Sequence, residues 1–107
     1  MSVEMPANVT TEQIFVAEGF YAPDAAERRK PCRGEHITRI IELRDAGTIL
    51  DAGGYADMSS ALLLFRVPDI AEVEAFMASD AYTRAGVWTH YEIRPLMRVI
   101  RTEELED

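Results

Sequence analysis

At 107 residues the chain is long enough for one domain with one packed core and too short for two. Hydrophobic residues make up 48% of it, which excludes a disordered chain, and a formal net charge of -8 disfavours nucleic acid or an anionic membrane as partner, because both require clustered Lys and Arg. Cys32 is the only cysteine, so an intrachain disulfide is excluded, which fits a reducing cytoplasm as the expected location.

Residues 1–10 carry neither a basic flank nor an apolar core, so they are expected to form a flexible arm rather than a signal peptide. The domain proper is expected over 11–101, with an acidic, solvated tail at 102–107. No apolar run approaches the roughly 20 residues that cross a bilayer. Gln13 to Ala17 is β-rich and reads as the first strand. Pro23-Asp24 opens a short helix over 24–29, with Asp24 and Glu27 at capping-box spacing. Pro31 interrupts it, because proline lacks the N–H and clashes with the preceding turn.

The main helix is expected at 33–46, with Gly47 as its C-terminal stop. Ile37, Ile40, Ile41 and Leu43 recur at helical spacing and are expected to hold it to a sheet. Thr48 to Tyr55 reads as a second strand, in which Gly53-Gly54 marks a bulge or a close approach of another group. Ala61 to Val67 is a third strand, apolar on both faces. Helices cover one face; the other, with Leu62 and Leu64, requires a second cover, and a second copy of the same sheet supplies it.

Asp69 and Glu72 open the next helix as cap and third position, with Ile70, Val73, Phe76 and Met77 as its buried stripe. Ser79 to Gly86 follows as a loop or helical turn. In the last strand Val87, Thr89, Tyr91 and Ile93 alternate with Trp88, His90, Glu92 and Arg94, and Pro95 breaks or edges it. The order β-α-β-β-α-β predicts an α+β, ferredoxin-like fold: a four-stranded antiparallel sheet with helices on one face. The two-faced third strand adds a homodimer through the sheet faces, closing a dimeric α+β barrel.

Several pieces together resemble the YCII-related family: Arg33-x-x-His36-Ile37-x-x-Ile40, Asp45-x-Gly47-x-Ile49-Leu50-x-Ala52-Gly53, Asp80-Ala81-Tyr82-x-x-Ala85-Gly86-Val87 and Glu92-x-Arg94-Pro95. The resemblance spans roughly residues 14–100 and departs at Ala81 and at Gly53-Gly54, where the family often carries proline. It implies a ferredoxin-like homodimer with a pocket built on a histidine–aspartate pair, which by motif position is His36 and Asp80. One relative is a dehydrochlorinase of chlorinated-aromatic breakdown, and muconolactone isomerases share the architecture.

An imidazole held by a carboxylate is an acid–base device: the carboxylate fixes the ring and raises the basicity of the far nitrogen. His36 and Asp80 are therefore the catalytic candidates, although a lone histidine at the edge of an apolar helix face is more often structural and Asp80 taken alone is a helix cap. Arg33 lies three residues before His36 on the same helical side and is a candidate contact for an anion, or else a surface arginine. Tyr82 lines the pocket or fills core, and Tyr21, at the end of the first strand, is a further candidate to reach the pocket. His90 belongs to the sheet face or a dimer contact. Cys32 has no base near it in sequence, and two scattered histidines with one cysteine give no zinc pattern, so neither a metal nor a cofactor is expected.

The expected function is that of a small dimeric protein using a His–Asp acid/base pair on a small molecule, anionic or aromatic-derived, as an isomerase, a dehydrochlorinase-like lyase or a hydrolase. The alternative is a non-catalytic, metabolite-binding or regulatory dimer that uses the same pocket.

Overall fold

The computed structural model describes residues 5–105. In chain order they form β1 (Val9–Tyr21), α1 (Ala25–Arg28), α2 (Arg33–Asp45), β2 (Ile49–Gly54), β3 (Ser60–Phe65), α3 (Ile70–Ser79), α4 (Ala81–Arg84) and β4 (Trp88–Arg101), followed by a 3₁₀ turn at Thr102–Leu105. The strands lie in the order β2-β3-β1-β4, each pair antiparallel. This is the expected α+β, ferredoxin-like arrangement. One face of the sheet supplies Phe15 and Ala17 of β1 and Ala61, Leu63 and Phe65 of β3 to a core shared with Val73, Phe76 and Met77 of α3.

Local sequence explains most boundaries. Asp69 caps α3, its carboxylate accepting from the Ala71 N–H at 2.8 Å. Gly47 follows α2 with φ +83°, a left-handed conformation that glycine adopts without a Cβ penalty. Pro95 sits inside β4, which is tolerated because β4 is an edge strand. Asp24 behaves differently from the capping-box expectation: it makes no side-chain cap and instead binds Arg28 at 2.9 and 3.0 Å.

The described parts of the expected arm and tail include regular structure. β1 begins at Val9, paired with Arg101, so Val9 and Thr10 belong to the sheet rather than to an arm. The first part of the expected arm, residues 1–4, lies outside the described residues. In the tail, the Glu104 carboxylate accepts from the Arg101 N–H at 2.7 Å and ties down the 3₁₀ turn. The tail's last two residues lie outside the described residues.

Two further expectations are corrected, and both concern the surroundings of His36. The core side of α2 is His36, with Ile40 and Leu43 partly buried against the core, whereas Ile37 and Ile41 are 44% and 49% exposed. Positions 36, 40 and 43 form their own helical stripe, so the helix is turned by about one residue from the all-isoleucine reading. Likewise Ile70 on α3 is exposed, and the buried stripe begins at Val73.

The second correction is in β4. Phe20 pairs with His90 but Tyr21 pairs with Trp88, so one extra residue, Thr89, is accommodated in a bulge. A one-residue insertion flips the faces of a strand. Trp88 therefore leaves the face of His90 and joins the core, 2% exposed, alongside partly buried Tyr91 and Ile93. Its indole lies flat on Gly19: a Cβ there would come within 2.5 Å of the ring.

Among the described residues none of α1 to α4 packs on the other sheet face. Val16, Leu62 and Leu64 are half-buried there and Leu96 is 42% exposed. Phe20 stacks on His90 at 4.4 Å, consistent with a sheet-face histidine. At one end Glu12 binds Arg66 at 2.9 Å and Arg98 at 2.8 Å. Burial works against the charge on Glu12, but the two arginines outweigh it and hold its carboxyl below the usual range.

Gly19→Ala is expected to destabilise the fold by about 1–3 kcal/mol, because the indole must move out of a packed core. Urea unfolding followed by Trp88 fluorescence checks this, and an unchanged midpoint would remove Gly19 as the seat of the tryptophan.

Candidate functional site

His36 sits in the first turn of α2, its N–H bonded to the Cys32 carbonyl at 3.1 Å. Asp80 separates α3 from α4: it ends the first in extended conformation and caps the second. Helices α2 and α4 pack together, with Arg84 of α4 reaching Glu35 of α2 at 2.6 Å across the surface. These placements bring two side chains 44 residues apart into contact, His36 Nδ1 and Asp80 Oδ2, at 2.6 Å. His36 is 4% exposed and Asp80 0%. Such a short bond to a buried carboxylate is of the charge-assisted kind.

The two oxygens of Asp80 have separate surroundings. Oδ2 accepts from His36 and also from the Tyr82 N–H at 3.0 Å, so capping and pairing coexist on one atom. Oδ1 is buried without a hydrogen bond and faces the Arg39 guanidinium at 3.6 Å. Arg39 is itself anchored, over the Phe76 ring at 4.1 Å and to Ser79 Oγ at 3.0 Å. A buried carboxylate is costly unless a countercharge stands near it, and Arg39 is that countercharge.

The imidazole is held on its faces as well. Tyr82 stacks on it at 3.6 Å with the rings 10° apart, and Trp88 meets it edge-on at 5.2 Å. A carboxylate only accepts, so its bond assigns a hydrogen to Nδ1, and in the neutral imidazole Nε2 is then the bare nitrogen. Among the described residues Nε2 has no hydrogen-bond partner.

His36 lines a cleft of about 310 Å³ that also touches Tyr21, Arg29, Arg33, Ile37, Gly54, Tyr55, Met58 and Tyr82. All five residues expected at the site are thus in one neighbourhood: four line the cleft with His36 among them, and Asp80 stands behind the imidazole. Tyr82 both lines the cleft and is nearly buried, which joins the two roles considered for it. Burial pushes its phenol up from its ordinary value. Gly54 gives Tyr21 room: a Cβ there would stand 3.0 Å from the Tyr21 hydroxyl, the close approach that the glycine pair suggested. The β2 irregularity itself falls earlier, between Ile49 and Asp51.

Arg29, Arg39, Tyr55 and Met58 went unnoticed in the sequence. Arg39 had a usable signal, three residues after His36 on the same helical side. Tyr55 and Met58 lie in a turn, and no periodicity points to them. Cys32 is half-buried against the core at the start of α2, a packing role. Among the described residues no group of three His, Cys, Asp or Glu is placed to hold a metal ion, and no helix is long and apolar enough to cross a membrane.

A small antiparallel α+β domain with a buried His–Asp pair behind a cleft defines the class. The chain belongs to the YCII-related family, whose domain model matches residues 14–97. Its relatives include Protein YciI of Escherichia coli and of Shigella flexneri, each 27% identical over 86 residues, covering 71% of this chain and 88% of theirs. Among solved structures it is similar to 5-chloro-2-hydroxyhydroquinone dehydrochlorinase (TftG) from Burkholderia phenoliruptrix, in complex with 2,5-dihydroxybenzoquinone. The TM-score is 0.64 at 20% identity, covering 76% of this chain and 90% of that one, a likeness of fold.

The raised Tyr82 phenol carries a stability consequence. An unfolded tyrosine ionises near pH 10, while the folded one holds its proton to higher pH. The stabilisation is therefore complete below pH 10 and lost as pH rises from there through the folded value. Thermal melts of Tyr82→Phe are expected to decline less steeply above pH 10 than those of the parent chain; parallel declines would count against this origin.

Proposed function

We propose that this protein is a small enzyme of proton-transfer chemistry, an isomerase or lyase acting on one small molecule in the His36 cleft. The observation that carries the reading is the arrangement of one ring: Nδ1 committed to Asp80 at 2.6 Å, Nε2 without a partner, and the ring lining the cleft. A dyad in this state takes a proton at Nε2, and the resulting imidazolium is stabilised by Asp80. The same nitrogen returns the proton at a second position for isomerisation, or keeps it while a leaving group departs from the neighbouring carbon in an elimination. Arg39 acts as a positioning residue, through Asp80 rather than on the substrate. The family likeness to a dehydrochlorinase supports elimination as one of the two outcomes.

Small carboxylates and phenols that raise the melting temperature identify ligands, and NMR in deuterated solvent follows exchange or conversion of each. His36→Ala is expected to lower the rate about 10²- to 10⁴-fold, and Asp80→Asn at least about 100-fold. Arg39→Gln is expected to shift the pH profile of the rate while leaving ligand affinity within about twofold, the split that separates positioning from binding. Full activity in His36→Ala would end the mechanism. A ligand that binds tightly and is recovered unchanged, with no exchange, would make the protein a metabolite-binding module of the same pocket.

The reading includes a homodimer through the open sheet face. Leu62 and Leu64, side by side with Val16, give this face an apolar centre that none of α1 to α4 covers among the described residues. Leu62→Asp or Leu64→Asp is expected to shift the sedimentation coefficient to that of a monomer. If both variants sediment as unaltered dimers, the copies meet elsewhere.

A further inference from the structure

The His36 cleft and the open sheet face share a wall. Tyr55 and Leu62 line the cleft, and both also line a groove of about 430 Å³ on the open face, beside Val16, Leu64 and Leu96. Tyr55 stands in the β2–β3 hairpin and is 50% exposed. Whatever covers the face therefore bears on the cleft. The end of the face away from Tyr55 is closed by the chain itself. By strand alternation Ile14 and Ile100 point to this side, and they are buried there apart from the main core. Glu12 binds Arg66 and Arg98 at this end, and Arg66 also donates to the Glu104 carbonyl of the 3₁₀ turn at 3.4 Å. What stays bare is the centre of the face and the end that carries Tyr55.

The bare part carries charges of both signs in an order that suits a copy of itself. Glu18 and Glu92 are directly opposite each other on β1 and β4, and like charges so placed repel. Glu18 accepts from the Ser60 hydroxyl at 2.7 Å, which brings no countercharge. The next row toward the closed end is Leu64, Val16 and Arg94, and Arg94 faces no carboxylate among the described residues. A two-fold axis across the strands, between this row and that of Leu62, Glu18 and Glu92, lays each row on the other. Leucine then meets leucine, and each Arg94 meets the partner's Glu92 beside Glu18. The same rotation brings the far end of the partner's sheet over the hairpin end, where Tyr55 stands. We propose that a second copy completes the His36 cleft: it docks on the open face through reciprocal Arg94–Glu92 pairs and closes the outer wall of the cleft at Tyr55. This inference rests on the homodimer reading and adds to it the charges that set the register and the dependence of the cleft on assembly.

The test is sedimentation velocity on the full chain and on two charge reversals, Arg94→Glu and Glu92→Arg. Each reversal alone sets like charges against each other twice across the two-fold and is expected to weaken the dimer at least about 100-fold. Mixed in equal amounts, the two variants present opposite charges at both contacts, and a heterodimer is expected with an affinity within about tenfold of the parent's. Raising the salt concentration should weaken the parent dimer. The state of the cleft wall is read from Tyr55, by nitration with tetranitromethane and peptide mass spectrometry. Nitration is expected to be at least about fivefold slower in the parent and in the mixture than in either variant alone, because an interface excludes water from the ring. Both reversed side chains are exposed, so each variant is expected to keep its fold, which the emission of buried Trp88 verifies. Variants that sediment as dimers, monomeric variants that do not recover on mixing, or equal nitration of Tyr55 in monomer and dimer overturns the inference and leaves the homodimer reading in place, since that reading is decided at Leu62 and Leu64. A parent chain that sediments as a monomer overturns both.

Discussion

The carboxylate of Asp80 is the constraint on which the rest of this structure depends. The extended backbone of Asp80 ends α3, while its carboxylate caps α4 and holds His36 from complete burial. A charge in that position is tolerated only because each neighbour is a donor or a countercharge: the imidazole N–H, the Tyr82 N–H and the Arg39 guanidinium. Each of these neighbours is in turn placed by an element that packs on another. The loop between two helices therefore cannot shift without moving the imidazole, and the imidazole cannot turn without leaving a buried carboxylate short of a partner.

This coupling explains why Trp88 and Gly19, which do not line the cleft, matter to it. The bulge at Thr89 delivers the indole to the core face, and the missing side chain at Gly19 lets it lie flat on β1. From there its ring closes one edge of His36 while Tyr82 covers a face. Its own N–H is buried without a partner, a state that costs about 1–3 kcal/mol. The indole is thus kept for its shape against His36 and Tyr82 and not for its hydrogen bond.

The fold was legible in the sequence because its signals are local. Asp69 before an apolar stripe, Gly47 after a helical pattern and the apolar run of β3 each report on a few neighbouring residues, and the structure agrees with them. The errors came where one residue decides a face. Ile37 and Ile41 looked as apolar as Ile40, and nothing local says that a histidine takes the core side instead. Strict alternation put Trp88 beside His90, and a single bulge residue reversed it. The contact between His36 and Asp80 is tertiary, so composition and periodicity could not join them; only the pattern shared with the family did. Arg29 was invisible for the same reason, because only the fold brings it beside the cleft.

The distribution of charge follows a physical order. Where an arginine serves the fold it is spent on a carboxylate, as at Glu12, whose two arginines overcome the effect of burial, and at Asp80. Arg29 and Arg33 at the cleft face no carboxylate among the described residues. The imidazole obeys the same division: the nitrogen facing the core is saturated and the other is free. One side of α2 thus spends its polar groups on stability and the adjoining cleft withholds them. That contrast, rather than the histidine by itself, is the observation on which the proposed acid–base role of this cleft rests.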